Sequence, residues 1–268
     1  FTWTLSDSNS DNKWDLAIAA DTTSPTTTFS PANGATAVAV ASDITLTFNE
    51  AVRLINNSAL DDSNVDALIT LKENNSSGAD IAFDATINGG KTVITINPNS
   101  NLSSTQVVYV AIGATVEDAS NNAINAANVS FTTADIVAPT TTFSPANSAT
   151  AVAVASDITL TFNEAVRLIN NSALDDSNVD ALITLKENNS SGADIAFDAT
   201  INGGKTVITI NPNSNLSSTQ VVYVAIGATV EDASNNAINA ANVSFTTADV
   251  AAPTMAITSA EVSDGASS

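Results

Sequence analysis

The chain contains no cysteine and no histidine. The first absence removes disulfides, thiolate metal sites and a thiol nucleophile, and the second removes imidazole as base or ligand. The usual nucleophile–base triads go with them. Basic residues are scarce: 7 Lys and Arg stand against 28 Asp and Glu, for a net charge of −21 over 268 residues. That balance excludes nucleic acid as a partner, because no basic surface exists to displace phosphate counterions. It favours bound divalent cations or a salty medium that screens the repulsion. A soluble acidic surface without a ligand is the competing reading. No apolar run approaches the roughly 20 residues of a membrane span, and no secretion leader is recognisable.

Catalytic motifs are missing too. There is no Gly-x-Ser-x-Gly elbow and no phosphate-cradling Gly-Lys loop. The adjacent pair Asp61-Asp62 could in principle hydrolyse glycosides, but neighbouring acids in a polar stretch read first as a solvated face. Lys72 or Lys91 could form an isopeptide bond with an Asn beside an acid, and that reading ranks low as well. Both Trp residues, Trp3 and Trp14, precede the repeat described next, so a sugar-stacking platform inside it would rest on Tyr109 alone. The expectation is a protein that is not an enzyme.

What is present is a repeat. Residues 25–134 recur as 139–248 with a single difference, Gly34 against Ser148. A unit of this length is a whole domain, so the chain reads as an array of beads. Surface substitutions mostly change stability by less than about 0.5 kcal/mol, so folding alone cannot keep solvent-facing positions identical. Identity through loops and core alike implies recent duplication, with length itself as a benefit. The variable position lies in the turn cluster Pro31-Ala32-Asn33-Gly34. Ser148 fits there easily with a negative φ, and at a cost of about 1 kcal/mol with a left-handed one.

Within one copy, Ile44, Leu46 and Phe48 alternate with Thr45 and Thr47, the two-residue period of a half-buried strand. The same texture recurs at 26–29, 69–71, 81–87, 92–96, 107–112 and 129–131. Asn88-Gly89-Gly90-Lys91 reads as a hairpin turn with glycine supplying positive φ. Ser63 to Leu68 has the look of a capping box and one helical turn. Seven or so short strands in about 110 residues predict an all-β chain of antiparallel β-sandwiches. The expected core is Phe29, Leu46, Phe48, Leu71, Phe83, Ile94, Ile96, Tyr109 and Phe131. An odd strand number takes the chain in at one end of a sandwich and out at the other, which strings domains into an end-to-end rod. The expected divisions are 1–20 (end of a preceding β domain), 21–134, 135–248 and 249–268 (start of a further domain), as in a piece of a longer polypeptide. Each joint carries Asp and, four residues on, Pro: Asp21 to Pro25, Asp135 to Pro139, Asp249 to Pro253. Proline fixes φ and extends the preceding residue, so these joints are stiffer than Gly/Ser linkers.

Several segments carry a resemblance: Phe29-Ser30-Pro31-Ala32-Asn33-Gly34-Ala35, Ile44 to Val52, Leu102-Ser103-Ser104 with Tyr109, and Val116-Glu117-Asp118-Ala119-Ser120-Asn121-Asn122-Ala123-Ile124. Together they resemble the bacterial Ig-like repeats of S-layer proteins and large surface adhesins, over both copies. Asn121 and Asn235 depart from the family, whose loop more usually has Gly before Asn. Residues 253–265 are similar to the opening of another Ig-like subtype. The resemblance implies an extended, secreted, cell-surface stalk or filament.

Two groups of acids are candidate Ca2+ ligands. In a sandwich of this topology the loop holding Glu50 and the loop holding Asp118 approach Asp21, and Glu164 and Asp232 approach Asp135 likewise, with Asp249 opening a third joint. Converging carboxylates repel unless a cation lies between them, and Ca2+ takes six to eight oxygens. Related adhesins are similar in stiffening their rods with joint calcium. Read without a ligand, Asp21 is a turn cap, Glu50 a solvated edge charge and Asp118 an Asx-turn residue. The second group is Asp7, Asn9, Asp11 and Asp15, spaced like a calcium loop. Asn12 replaces the usual Gly and Ile18 the final Glu, which rules out an EF-hand; a plain hairpin loop between Trp3–Leu5 and Trp14–Leu16 serves equally. The functional expectation is a structural extender whose partners are the neighbouring Ig-like domains of its own chain. The alternatives are a self-assembling filament or S-layer subunit built with other copies of itself, and a multivalent glycan-binding array.

Overall fold

The computed structural model describes residues 3–6, 15–18 and 20–253. It is all-β apart from two single 3-10 turns among those residues. Strand β1 (Trp3–Ser6) pairs antiparallel with β2 (Asp15–Ile18), Trp3 opposite Ile18 and Ser6 opposite Asp15. The two strands of the hairpin reading pair, and the connecting residues 7–14 lie outside the described residues.

The chain divides into two compact units, Phe1–Ile136 and Val137–Ser268. In the first, β3 (Thr27–Ser30), β4 (Ile44–Phe48), β7 (Phe83–Ile87) and β8 (Val93–Pro98) form a four-stranded sheet in the order β3-β4-β8-β7. A three-stranded sheet orders β11 (Ala127–Thr132), β9 (Val107–Ile112) and β6 (Ile69–Glu73). A short ribbon pairs β5 (Arg53–Leu54) with β10 (Val116–Glu117). All these pairings are antiparallel. The second unit repeats the set as β12 (Thr141–Ser144), β13 (Ile158–Phe162), β14 (Arg167–Leu168), β15 (Ile183–Glu187), β16 (Phe197–Ile201), β17 (Val207–Pro212), β18 (Val221–Ile226), β19 (Val230–Glu231) and β20 (Ala241–Thr246).

Period-two patterning builds the core. Ile44, Leu46 and Phe48 of β4 are buried, as are Val108, Val110 and Ile112 of β9, and these meet Ile94, Ile96 and Phe131. Each unit holds its own cluster. Two expected core residues, Phe83 and Tyr109, are only half-buried. Tyr109 lies on the alternate face of β9, between Lys72 and Ser130 in register, because its neighbours Val108 and Val110 take the inward positions.

Local geometry corrects two further readings and decides a third. At 88–91 the left-handed residue is Lys91 (φ 54°), not a glycine, and Asn88 Oδ1 holds the turn by accepting from the N–H groups of Thr92 (2.8 Å) and Val93 (3.1 Å). The helical turn forms at Asp66–Leu68, but no side chain caps it. Gly34 and Ser148 both take positive φ, 76° and 63°, so serine occupies the costlier of its two options.

Candidate metal centre

The first acidic trio is assembled by the ribbon. Asn49 Oδ1 accepts from Thr26 N–H at 2.6 Å, and Val52 N–H donates to Lys91 C=O at 3.0 Å. Glu50 emerges between these two anchored residues, just before β5. Opposite, β10 delivers Glu117 and then Asp118, both buried. Arg53 faces Glu117 in register and pairs with it at 3.3 Å. Its guanidinium reaches on to Ala119 C=O (3.3 Å) and Asn121 Oδ1 (3.2 Å), so one arginine fixes the loop that shapes Asp118. Asn122 completes the arrangement: its side-chain N–H donates to Asp118 Oδ2 (2.8 Å) and to the backbone carbonyl of Asp21 (2.9 Å). Asp21, Glu50 and Asp118 thereby bring carboxylate oxygens within 4.8 Å of one another.

The charges are not equivalent. Burial pushes the Asp118 carboxyl up, but the side chain of Asn122, the N–H groups of Asn122 and Ser120, and nearby Arg53 together carry it below its ordinary value of 3.8. Glu50 is held above its ordinary 4.5, first by burial and then by the charges of Asp118 and Asp21. One carboxylate is favoured in its ionised form and repels another, so a cation would relieve the site. Carboxylate oxygens within 4.8 Å of one another can surround a single Ca2+, which binds oxygen at about 2.3–2.6 Å. The donors are all hard oxygens, with no nitrogen or sulfur, the set that suits Ca2+, Mg2+ or Mn2+.

Glu164 and Asp232 hold the corresponding positions in the second unit, half-buried and buried respectively. Asp135 closes the first unit, where its carboxylate accepts from Ser104 Oγ at 2.8 Å. Asp249 repeats that bond with Ser218 Oγ at 3.0 Å. Asp15 begins β2, while Asp7, Asn9 and Asp11 lie outside the described residues. Sequence reasoning found the trio but missed Arg53, Glu117 and Asn122. The signal for Asn122 was its place in the Asp118–Asn122 turn. In that turn Asn121 takes φ 67° and Asn235 φ 70°, the left-handed conformation that glycine would supply in the wider family and that Asn adopts more readily than most residues.

The fold and its loops define an Ig-like sandwich of bacterial type. The sequence matches the family described as bacterial Ig-like domain over residues 21–133 and again over 135–247, and the chain belongs to that family. No curated protein matches it. Similar solved structures include the titin segment A168–A169 (8% identity, 85% of this chain and 100% of that one, TM-score 0.33). Another is the N-terminal part of the bacterial S-layer protein SbsC (13% identity, TM-score 0.28), with 84% of this chain covering 44% of that one. A third is an L,D-transpeptidase from Mycobacterium smegmatis (12% identity, 70% of this chain and 84% of that one, TM-score 0.27). Among the described residues no helix is long and apolar enough to cross a membrane.

Proposed function

We propose that this chain is a non-catalytic extender segment of a bacterial cell-surface protein, an adhesin stalk or surface filament, with calcium at the upstream end of each domain. The observation that carries the reading is the acidic trio Asp21, Glu50 and Asp118, whose oxygens converge within 4.8 Å at the start of a domain copied almost unchanged. Sequence equivalence extends the proposal to Asp135, Glu164 and Asp232. Within the first unit, Val107 pairs with Thr132 and Ile112 with Ala127, so β11 ends beside the start of β9. The Asp118 loop follows the other end of β9, so the chain enters and leaves this domain at opposite ends. That is the geometry an extender needs. Calcium at the upstream end would tie the incoming Asp21 to two loops of the domain body. Calorimetric titration of the whole chain with Ca2+ should give two sites, and Glu50→Gln should remove one. The absence of any heat of binding at millimolar Ca2+ would refute the calcium part of the proposal.

A further inference from the structure

Antiparallel sheets of this kind present free edges, and a free edge is a template for pairing with another chain. The two sheets of the first unit have four edge strands, β6, β11, β3 and β7. The outer side of β6 is covered by its own downstream segment, through Glu73 N–H to Ala79 C=O (2.9 Å) and Ile81 N–H to Leu71 C=O (3.0 Å). The outer side of β11 is covered by residues 33–38: Ser130 N–H meets Asn33 Oδ1 (2.9 Å), Thr132 N–H meets Ala35 C=O (2.8 Å) and Ala134 N–H meets Val38 C=O (2.7 Å). Strand β3, four residues long, is the shortest of the two sheets. Strand β7 has neither a covering strand nor a short length.

Its outward amide groups are met by carboxylates instead. Ala85 N–H donates to Asp66 Oδ1 at 2.7 Å, and Ile87 N–H donates to Asp62 Oδ1 at 2.8 Å. The second unit reproduces both bonds, Ala199 to Asp180 and Ile201 to Asp176, each at 2.8 Å. We propose that Asp62 and Asp66, with Asp176 and Asp180, are edge guards: they occupy the pairing groups of β7 and β16, so that a second strand, including one from an identical domain, cannot add.

A purely local role for these acids explains less. The loop that carries them is already held by Leu60 and Val65, both fully buried, and by Asp61, which accepts from Ser63 N–H at 3.0 Å. Beyond those anchors, two carboxylates reach strand amides 19 and 25 residues away. The architecture supplies a reason. Identical domains joined by a short linker meet at millimolar effective concentration, and misassembly between like domains is the characteristic failure of repeat proteins.

The test uses the whole chain. Replacing Asp62, Asp66, Asp176 and Asp180 by Ala should leave a folded β protein whose sedimentation shows concentration-dependent association. Amide exchange at Ala85, Ile87, Ala199 and Ile201 should accelerate at least about tenfold. The Asn variants, which keep an acceptor oxygen, should retain slow exchange and stay monomeric; association as strong as in the Ala variant would overturn the hydrogen-bond cap. A folded Ala variant that remains monomeric at about 1 mM would overturn the guard itself. If the fourfold variant does not fold, Asp62→Ala alone gives the same readings at Ile87. In the unaltered chain the Ala85 and Ile87 amides should exchange as slowly as ladder amides, and loop-like exchange would refute the cap without any substitution.

Discussion

Position 34 and its counterpart 148 show what a single residue can report about a duplicated domain. Both take left-handed φ, 76° for Gly34 and 63° for Ser148, and an added Cβ at Gly34 meets nothing within 4 Å. The difference between the copies is therefore conformational strain rather than a clash. Ser148→Gly should stabilise the second domain by about 1 kcal/mol, read from urea denaturation, and Gly34→Ser should cost the first domain the same; equal stabilities would show that the turn relaxes. A second residue-scale prediction concerns Glu50 in calcium-free protein. Its folded pKa lies above the ordinary 4.5, so the native state binds more protons in that window. Stability is then fully present below about pH 4.5 and falls as pH rises through the folded value. Glu50→Gln should melt higher than the parent at pH 7 in chelator, with the advantage shrinking toward pH 4. Identical pH trends in the two proteins would contradict this. Asp118 has the opposite sign: its contribution is present above pH 3.8 and lost as pH falls through its lowered folded value.

At the scale of elements, the strands were legible wherever a period-two run was long enough to read. Ile44, Leu46 and Phe48 announce β4, and all three are buried. The two-residue strands β5 and β10 were not legible, because two residues carry no period, yet they position Glu50 and Asp118. Asp62 and Asp66 were equally opaque. Their partners lie 25 and 19 residues away, and only the folded sheet brings carboxylate and amide together. Tyr109 was misplaced because β9 is apolar at almost every position, so composition could not choose its inward face. Each unit has a separate core, and this gives an element-level prediction. Leu46 is fully buried, and Leu46→Ala should cost about 3 kcal/mol, lowering the melting temperature of the first domain by roughly 10 °C. Calorimetry should resolve two transitions, the upper one unchanged. A single shifted transition would mean that the domains unfold as one unit.

At the scale of the whole chain, the duplication, the Asp-to-Pro joints and the acidic trio were all visible in the sequence. The convergence of the first trio followed from topology rather than from any motif, and the structure places those three carboxylates together. The guarded strand edge bears on the choice between functional readings. A filament assembled through free edges needs those edges open, whereas an extender needs its like domains kept apart. The most direct measurement of the extender reading is small-angle scattering of the full chain in Ca2+ and in chelator. Calcium-stiffened joints predict a longer maximum dimension and a narrower distance distribution with Ca2+, and a shorter, broader one after chelation. Superimposable profiles under the two conditions would contradict the account.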